Sequence, residues 1–180
     1  MNKWKTTAAA CMIAVAVTLA GCGSMPTMME SYSFGTVQLK AGNSEVYMDS
    51  PFDLAHVQRP NGSGMMYVNN DEHVNVIVVS QPVANGSAQA MAEHDVAMLK
   101  QTPDISDLQT KLTATTIDGK AAVEGYYTYT EPLKGVPANL IVRSLFFEDS
   151  DQVWHIMFMY RQGDPMAQDV TDHVFGHIHY

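Results

Sequence analysis

Apolar residues recur along this chain in two rhythms, and the slower one is rare. From Phe34 onward the common period is two. Phe34–Leu39 and Glu45–Met48 read as short strands parted by Gly42-Asn43. Residues 51–64 are rich in turn formers and read as loop. Met65–Val68 and Val74–Ser80 are the next strands, joined by the polar turn Asn69–Glu72. Residues 74–79 read VNVIVV, apolar everywhere except Asn75, which predicts a strand covered on both faces. Further on, Leu108–Ile117 and Lys120–Thr130 flank Asp118-Gly119, a strong hairpin signal. Asn139–Phe147 and Val153–Arg161 flank the turn at 148–151. In the second of these, Trp154, Ile156, Phe158 and Tyr160 point one way, and Val153, His155, Met157 and Met159 the other. Both sets are largely apolar, so this strand too is expected to have cover on both sides.

The helical period appears twice in this region. Ser87 is a plausible N-cap for a helix to Lys100, with Ala88, Met91, Ala92, Asp95, Met98 and Leu99 on one face. Asp95 is its only polar member, and the methionines read as core filler. A second helix starts at Asp164-Pro165, a capping residue followed by proline at the first helical position. Met166, Val170 and Val174 recur every fourth residue, and Gly176 reads as the stop. The expected fold is α+β: one domain over residues 34–180, mainly an antiparallel twisted sheet with helices packed on it as an α/β/α sandwich.

The beginning of the chain obeys neither rhythm. Lys3 and Lys5 precede an apolar stretch from Ala8 to Ala20, broken only by Thr18. That is too short to cross roughly 30 Å of hydrocarbon, which takes about 20 residues of helix, but it is the size of a signal-peptide core. It ends in Leu19-Ala20-Gly21-Cys22, which resembles the lipobox of bacterial lipoproteins. The resemblance implies cleavage after residue 21 and a diacylglycerol on Cys22, usually joined by an N-acyl chain such as palmitate. Two or more chains hold a membrane stably. Residues 22–33 then read as a lipidated tether. Gly23 stands where the sorting rule of enteric-type bacteria places Asp for inner-membrane retention, so the expectation is an outer-membrane anchor with the domain facing the periplasm.

The order of elements from Phe34 to Tyr180 is similar to the PsbP-like family, which includes Ran-binding Mog proteins and bacterial DcrB-type lipoproteins. The strand Val74–Ser80 leading into the helix at Ser87, the Asp118-Gly119 hairpin with Gly125-Tyr126-Tyr127 beyond it, the Trp154 strand and the Asp164 helix carry the likeness. It implies a binding or assembly module and no enzyme. No functional residue is transferred by it.

Composition narrows the chemistry. Cys11 leaves with the signal segment and Cys22 is taken by lipid, so the mature domain has no thiol for a disulfide, nucleophile or metal. Loss of Lys3 and Lys5 leaves 8 basic residues against 19 acidic ones, a net charge of about −11. Nucleic acid is excluded as a partner, since phosphate binding needs clustered Lys and Arg. A basic protein partner suits that charge. There is no G-x-S-x-G elbow, no phosphate-binding glycine loop and no H-E-x-x-H.

Two constellations remain. His173, His177 and His179 crowd the C-terminus beside Asp169 and Asp172. The first two are four apart, as in zinc-binding pairs, though Gly176 is expected to end the helix between them. Structural histidines in a last helical turn are the competing reading. Tyr126, Tyr127, Tyr129, Arg143 and His155 are polar or amphipathic positions in apolar strands and form a candidate binding surface. The chain as a whole reads as a membrane-anchored, non-enzymatic protein-binding or envelope-assembly module. An immunity protein against a delivered toxin is one version. The alternative is a carrier of a small ligand, or of zinc or a similar metal, using the C-terminal histidines. Otherwise no cofactor is expected beyond the covalent lipid.

Overall fold

The structure, a computed structural model, describes residues 32–57 and 64–180. The signal segment, Cys22 and residues 23–31 lie outside the described residues, and so do the expectations that fall on them. The chain runs β1 (Gly35–Ala41), β2 (Ser44–Ser50), β3 (Ala55–Val57), β4 (Met66–Asn70), β5 (Val74–Pro82), α1 (Ala88–Leu99), β6 (Ser106–Ile117), β7 (Lys120–Leu133), β8 (Val136–Asp149), β9 (Gln152–Arg161), α2 (Pro165–Phe175) and β10 (Ile178–His179). A short 3-10 turn, Val83–Asn85, links β5 to α1.

A seven-stranded antiparallel sheet in the order β3-β4-β5-β9-β8-β7-β6 forms the centre. The expected meander from β6 to β9 is present. Asp118 and Gly119 both adopt positive φ, 48° and 76°, as the tight β6–β7 hairpin requires. The expected loop 51–64 contains β3, which adds three residues to the edge of β4. Three residues are too few to show a period.

The two-sided cover of β9 is also present, with a helix on each face as the α/β/α sandwich expects, and one layer holds more than a helix. α1 lies on one face. The other face carries α2 together with a separate three-stranded sheet, β1-β2-β10. β1 and β2 therefore do not extend the main sheet. They pair with each other and with the last residues of the chain, and turn Leu39, Val46 and Met48 inward. Under this layer lies one continuous core. Val74, Val76 and Val78 of β5, and Trp154, Ile156 and Phe158 of β9, are all fully buried there against Ala167, Val170 and Val174 of α2. Burial of each such side chain stabilises the fold by about 1.5–3 kcal/mol.

Polar contacts fasten the layers. Trp154 Nε1 donates to Ser44 Oγ at 2.8 Å, and Ser44 donates to Asp149 at 2.6 Å, tying β9 to the small sheet. Gly42 adopts φ +56°, which strains any other residue, and a Cβ there would lie 2.6 Å from the Asp151 carboxylate and displace it. Both helix starts are as read from sequence. Ser87 Oγ accepts from Ala90 N, and Asp164 Oδ1 from Ala167 N, with Pro165 at the first turn. Gly176 ends α2 as expected, but in right-handed geometry, φ −75°. The domain also reaches back to Tyr32, inside the expected tether. Its ring packs edge-on to Phe52 and its hydroxyl donates to Asp71.

Candidate functional site

The three C-terminal histidines take three different hydrogen-bond acceptors, and two of the rings stay in contact. His173, in the last turn of α2, donates through Nε2 to Asp49 of β2 at 2.8 Å, and its ring packs 4.2 Å from that of Phe34. His177 lies past the helix end. Its Nδ1 donates to the carbonyl of His173 at 2.7 Å, and the two rings stack at 4.3 Å. His179 donates from β10 to Asp118 at 3.1 Å, which lowers the Asp118 pKa. Each of these bonds engages one ring nitrogen and leaves the other open. Among the described residues no group of three His, Cys, Asp or Glu side chains is placed to hold a metal ion. The helical spacing that brought His173 and His177 to notice is interrupted at Gly176, and Ile178 and His179 are already strand. The geometry is that of a C-terminal clasp joining α2, β2 and the β6–β7 hairpin.

The tyrosine and arginine set does not form one surface, because strand alternation divides it. Tyr126 is exposed and pairs across the ladder with Arg143 on the α2 side. Arg143 donates to Glu124 at 2.6 and 3.0 Å and to Asp172 at 2.7 Å, with its guanidinium 5.2 Å from the Phe175 ring centre. It bridges β7 to α2. Tyr127, Tyr129 and His155 point the other way and are buried under α1. The candidate surface thus reduces to Tyr126 with the Glu124–Arg143–Asp172 group.

Beneath α1 the buried three join a polar cluster. His155 Nε2 bonds Ser144 Oγ at 2.9 Å, and its ring stacks on Phe146 at 4.0 Å. Burial lowers the His155 pKa, against a smaller opposing pull from Asp95. Tyr127 OH and Asp95 Oδ2 are buried nearby without a hydrogen bond. Burial, then the charge of Asp95, push the Tyr127 phenol up. Gly125 makes the room: a Cβ there would meet the Tyr127 oxygen at 2.5 Å. Asp95, the one polar member of its helix face, was the sequence signal for this cluster.

A second polar group escaped notice in the sequence. At the end of the sheet a small pocket is lined by His73, Asn75, Glu131, Leu133, Leu140, Met159, Tyr160 and Arg161. His73 at its rim donates through Nδ1 to Asp164 at 2.7 Å, joining the β4–β5 turn to the start of α2. The available signal was Asn75, the single polar residue of the run 74–79. The other members come from distant parts of the chain.

No known protein family matches the sequence, and no curated protein does. Among solved structures the chain is similar to cyanobacterial PsbP (CyanoP) from Synechocystis, at 12% identity and TM-score 0.49, over 89% of this chain and 98% of that one. It is similar also to LpqN of Mycobacterium tuberculosis, described as involved in cell envelope biogenesis, at 11% identity and TM-score 0.46, over 87% and 98%. A protein of unknown function from Pseudomonas aeruginosa matches at 16% identity and TM-score 0.43, over 76% and 91%. Likeness at this level assigns no family and no activity. The α+β class rests on the described strands and helices themselves.

Proposed function

We propose that the protein is a lipid-anchored envelope protein, held by Cys22 at the periplasmic side of an outer membrane, and that its domain is a non-enzymatic binding or assembly module for a basic protein partner. The observation that carries this reading is the order of features at the start of the chain: Lys3 and Lys5, the apolar stretch, Leu19–Cys22, a polar tether, then the domain. The acidic balance of the mature chain supports the choice of partner, since opposite charge speeds encounter and makes it salt-sensitive. Anchoring adds to this by raising the local concentration of both proteins at the membrane.

Crosslinked capture from intact envelopes tests the reading. Wild type and Cys22→Ala are compared at matched expression and at two salt concentrations. The expected result is a specific partner recovered with wild type at low salt, reduced at high salt and lost with Cys22→Ala. Recovery that is indifferent to both anchor and salt would overturn it. The immunity version carries its own expectation: cells lacking the protein are killed by toxin-delivering siblings in co-culture. Normal survival there removes that version and leaves the assembly module.

A further inference from the structure

The β7–β8 hairpin runs past the rest of the sheet. β6 begins at Ser106, opposite Thr130, and β9 ends at Arg161, opposite Leu140. Three further hairpin pairs, Glu131–Ala138, Pro132–Pro137 and Leu133–Val136, have no strand of the sheet on either side. They carry the hairpin about 10 Å beyond its neighbours, at about 3.3 Å per residue. The turn is tight, because Lys134 and Gly135 both take positive φ, 53° and 80°.

This tip differs in chemistry from the acidic domain behind it. Residues 132–138 read PLKGVPA, with Lys134 as the one charge. Val136 is 66% exposed, the highest value among the large hydrophobic residues described. Pro132 and Pro137 are exposed beside it, and Glu131, the nearest carboxylate on the hairpin, is half-buried. One exposed valine is ordinary. Its setting is not. The Leu133–Val136 pair closes the turn, so the next pair turns its N–H positions outward, and both of those residues are proline. A polypeptide strand laid along either edge finds no donor there. A tip that is apolar, singly basic and poor in donors suits a lipid surface better than an added strand.

The tether points to the same occupant. Tyr32 donates to Asp71 in the β4–β5 turn, beside the start of β5. Val74, Tyr160 and Ile141 form one row across β5, β9 and β8 at that end of the sheet. Along β8 the hairpin tip lies five residues from this row, at Val136, and the opposite turn begins eight residues the other way, at Asp149. Ten residue steps separate Cys22 from Tyr32, a reach of at most about 33–36 Å. Standing the domain on the 148–151 turn would take about 26 Å of that reach. Standing it on the hairpin takes little. We infer that the β7–β8 hairpin is a membrane-contact element, with Val136 and its flanking prolines in the headgroup region of the bilayer that holds the anchor, and Lys134 beside anionic headgroups. The inference rests on the anchoring through Cys22 proposed above.

Cys22 is taken by lipid in the mature chain, so one added cysteine can be labelled alone. Val136→Cys and Ser150→Cys, at opposite ends of the sheet, each carry an environment-sensitive fluorophore on the full lipidated chain. The chain is bound to vesicles of phosphatidylethanolamine and phosphatidylglycerol that contain a nitroxide lipid. The label at 136 is expected to lose most of its emission, and the label at 150 to lose little. Lys134→Glu is expected to restore emission at 136. Quenching at 136 that ignores Lys134→Glu would overturn the inference, because the fluorophore alone would then be inserting. Equal quenching at both positions, or a bright label at 136 on protein that floats with the vesicles, would overturn it and leave the anchor standing. Protein that does not float would overturn the anchor reading, and this inference with it.

Discussion

The two faces of the seven-stranded sheet are built to different standards. On the α2 side, Val74, Val76 and Val78 of β5 and Trp154, Ile156 and Phe158 of β9 are sealed by the small sheet and helix into one core. On the α1 side the core is split into two clusters. Between and beyond them sit His155, Ser144, Asp95, Tyr127, Asn75 and Arg161, and Met157 and Met159 are only half-buried. Polar groups in a core cost stability unless fully bonded. The α2 side buries polar side chains too, among them Ser44, Ser50, Ser80 and Thr171, but bonds them. On the α1 side Asp95, Tyr127, Asn75 and Arg161 each keep a buried polar atom without a hydrogen bond, so the α2 side is the one better built to hold the fold.

The largest test of that contrast compares neighbours on β9. Phe158 is fully buried against Phe52 and Phe175, so Phe158→Ala is expected to cost about 3–5 kcal/mol. Met159→Ala, one residue on and facing α1, is expected to cost less than about 2 kcal/mol, because Met159 is only half-buried. Chemical denaturation measures both, and equal losses would erase the distinction between the faces.

Gly125→Ala comes next. The added methyl meets the Tyr127 hydroxyl, which has no slack under α1, so a loss of about 1–3 kcal/mol is expected by the same measurement. Restoration by the double variant Gly125→Ala with Tyr127→Phe would place the clash at that oxygen.

His155 sharpens the comparison through pH. Its pKa is lowered in the folded state by burial, so the unfolded chain takes up its proton first, near the ordinary value of about 6.5. The contribution is fully present above that pH and is lost as pH falls below it, at up to about 1.4 kcal/mol per pH unit. Removing the ionisable ring with His155→Leu is expected to flatten stability between about pH 7 and 5 relative to wild type. An unchanged slope would show that the ring is not held neutral.

The smallest effect is at the start of α2. Asp164→Ala removes the cap on Ala167 and the partner of His73, and is expected to cost about 1 kcal/mol, read as a fall in Tm of about 2–4 °C.

Much of the fold was legible in the sequence. The doubly apolar strands Val74–Ser80 and Val153–Arg161, the Asp118-Gly119 hairpin and both helix caps are local signals, and each element forms where its signal lies. The features that were not legible depend on pairing at a distance. Nothing local says that Phe34–Leu39 leaves the main sheet, because that choice is made by the last residues of the chain closing on β2. The candidate sites are divided in space for a related reason. Spacing brought His173, His177 and His179 together on paper, while in space each has its own acceptor and only His173 and His177 stay in contact. Adjacency grouped Tyr126 with Tyr127, although a strand turns consecutive residues to opposite faces. Asn75, Glu131 and Arg161 meet only through the register of four strands.

The account depends most on the anchor, and one measurement addresses it directly: the intact mass of the protein extracted from cell envelopes, with peptide mapping of its first residue. The account predicts a mature chain that begins at Cys22 and carries a diacylglycerol there, with a further acyl chain on its amino group. A chain that begins elsewhere, or an unmodified Cys22, would contradict it.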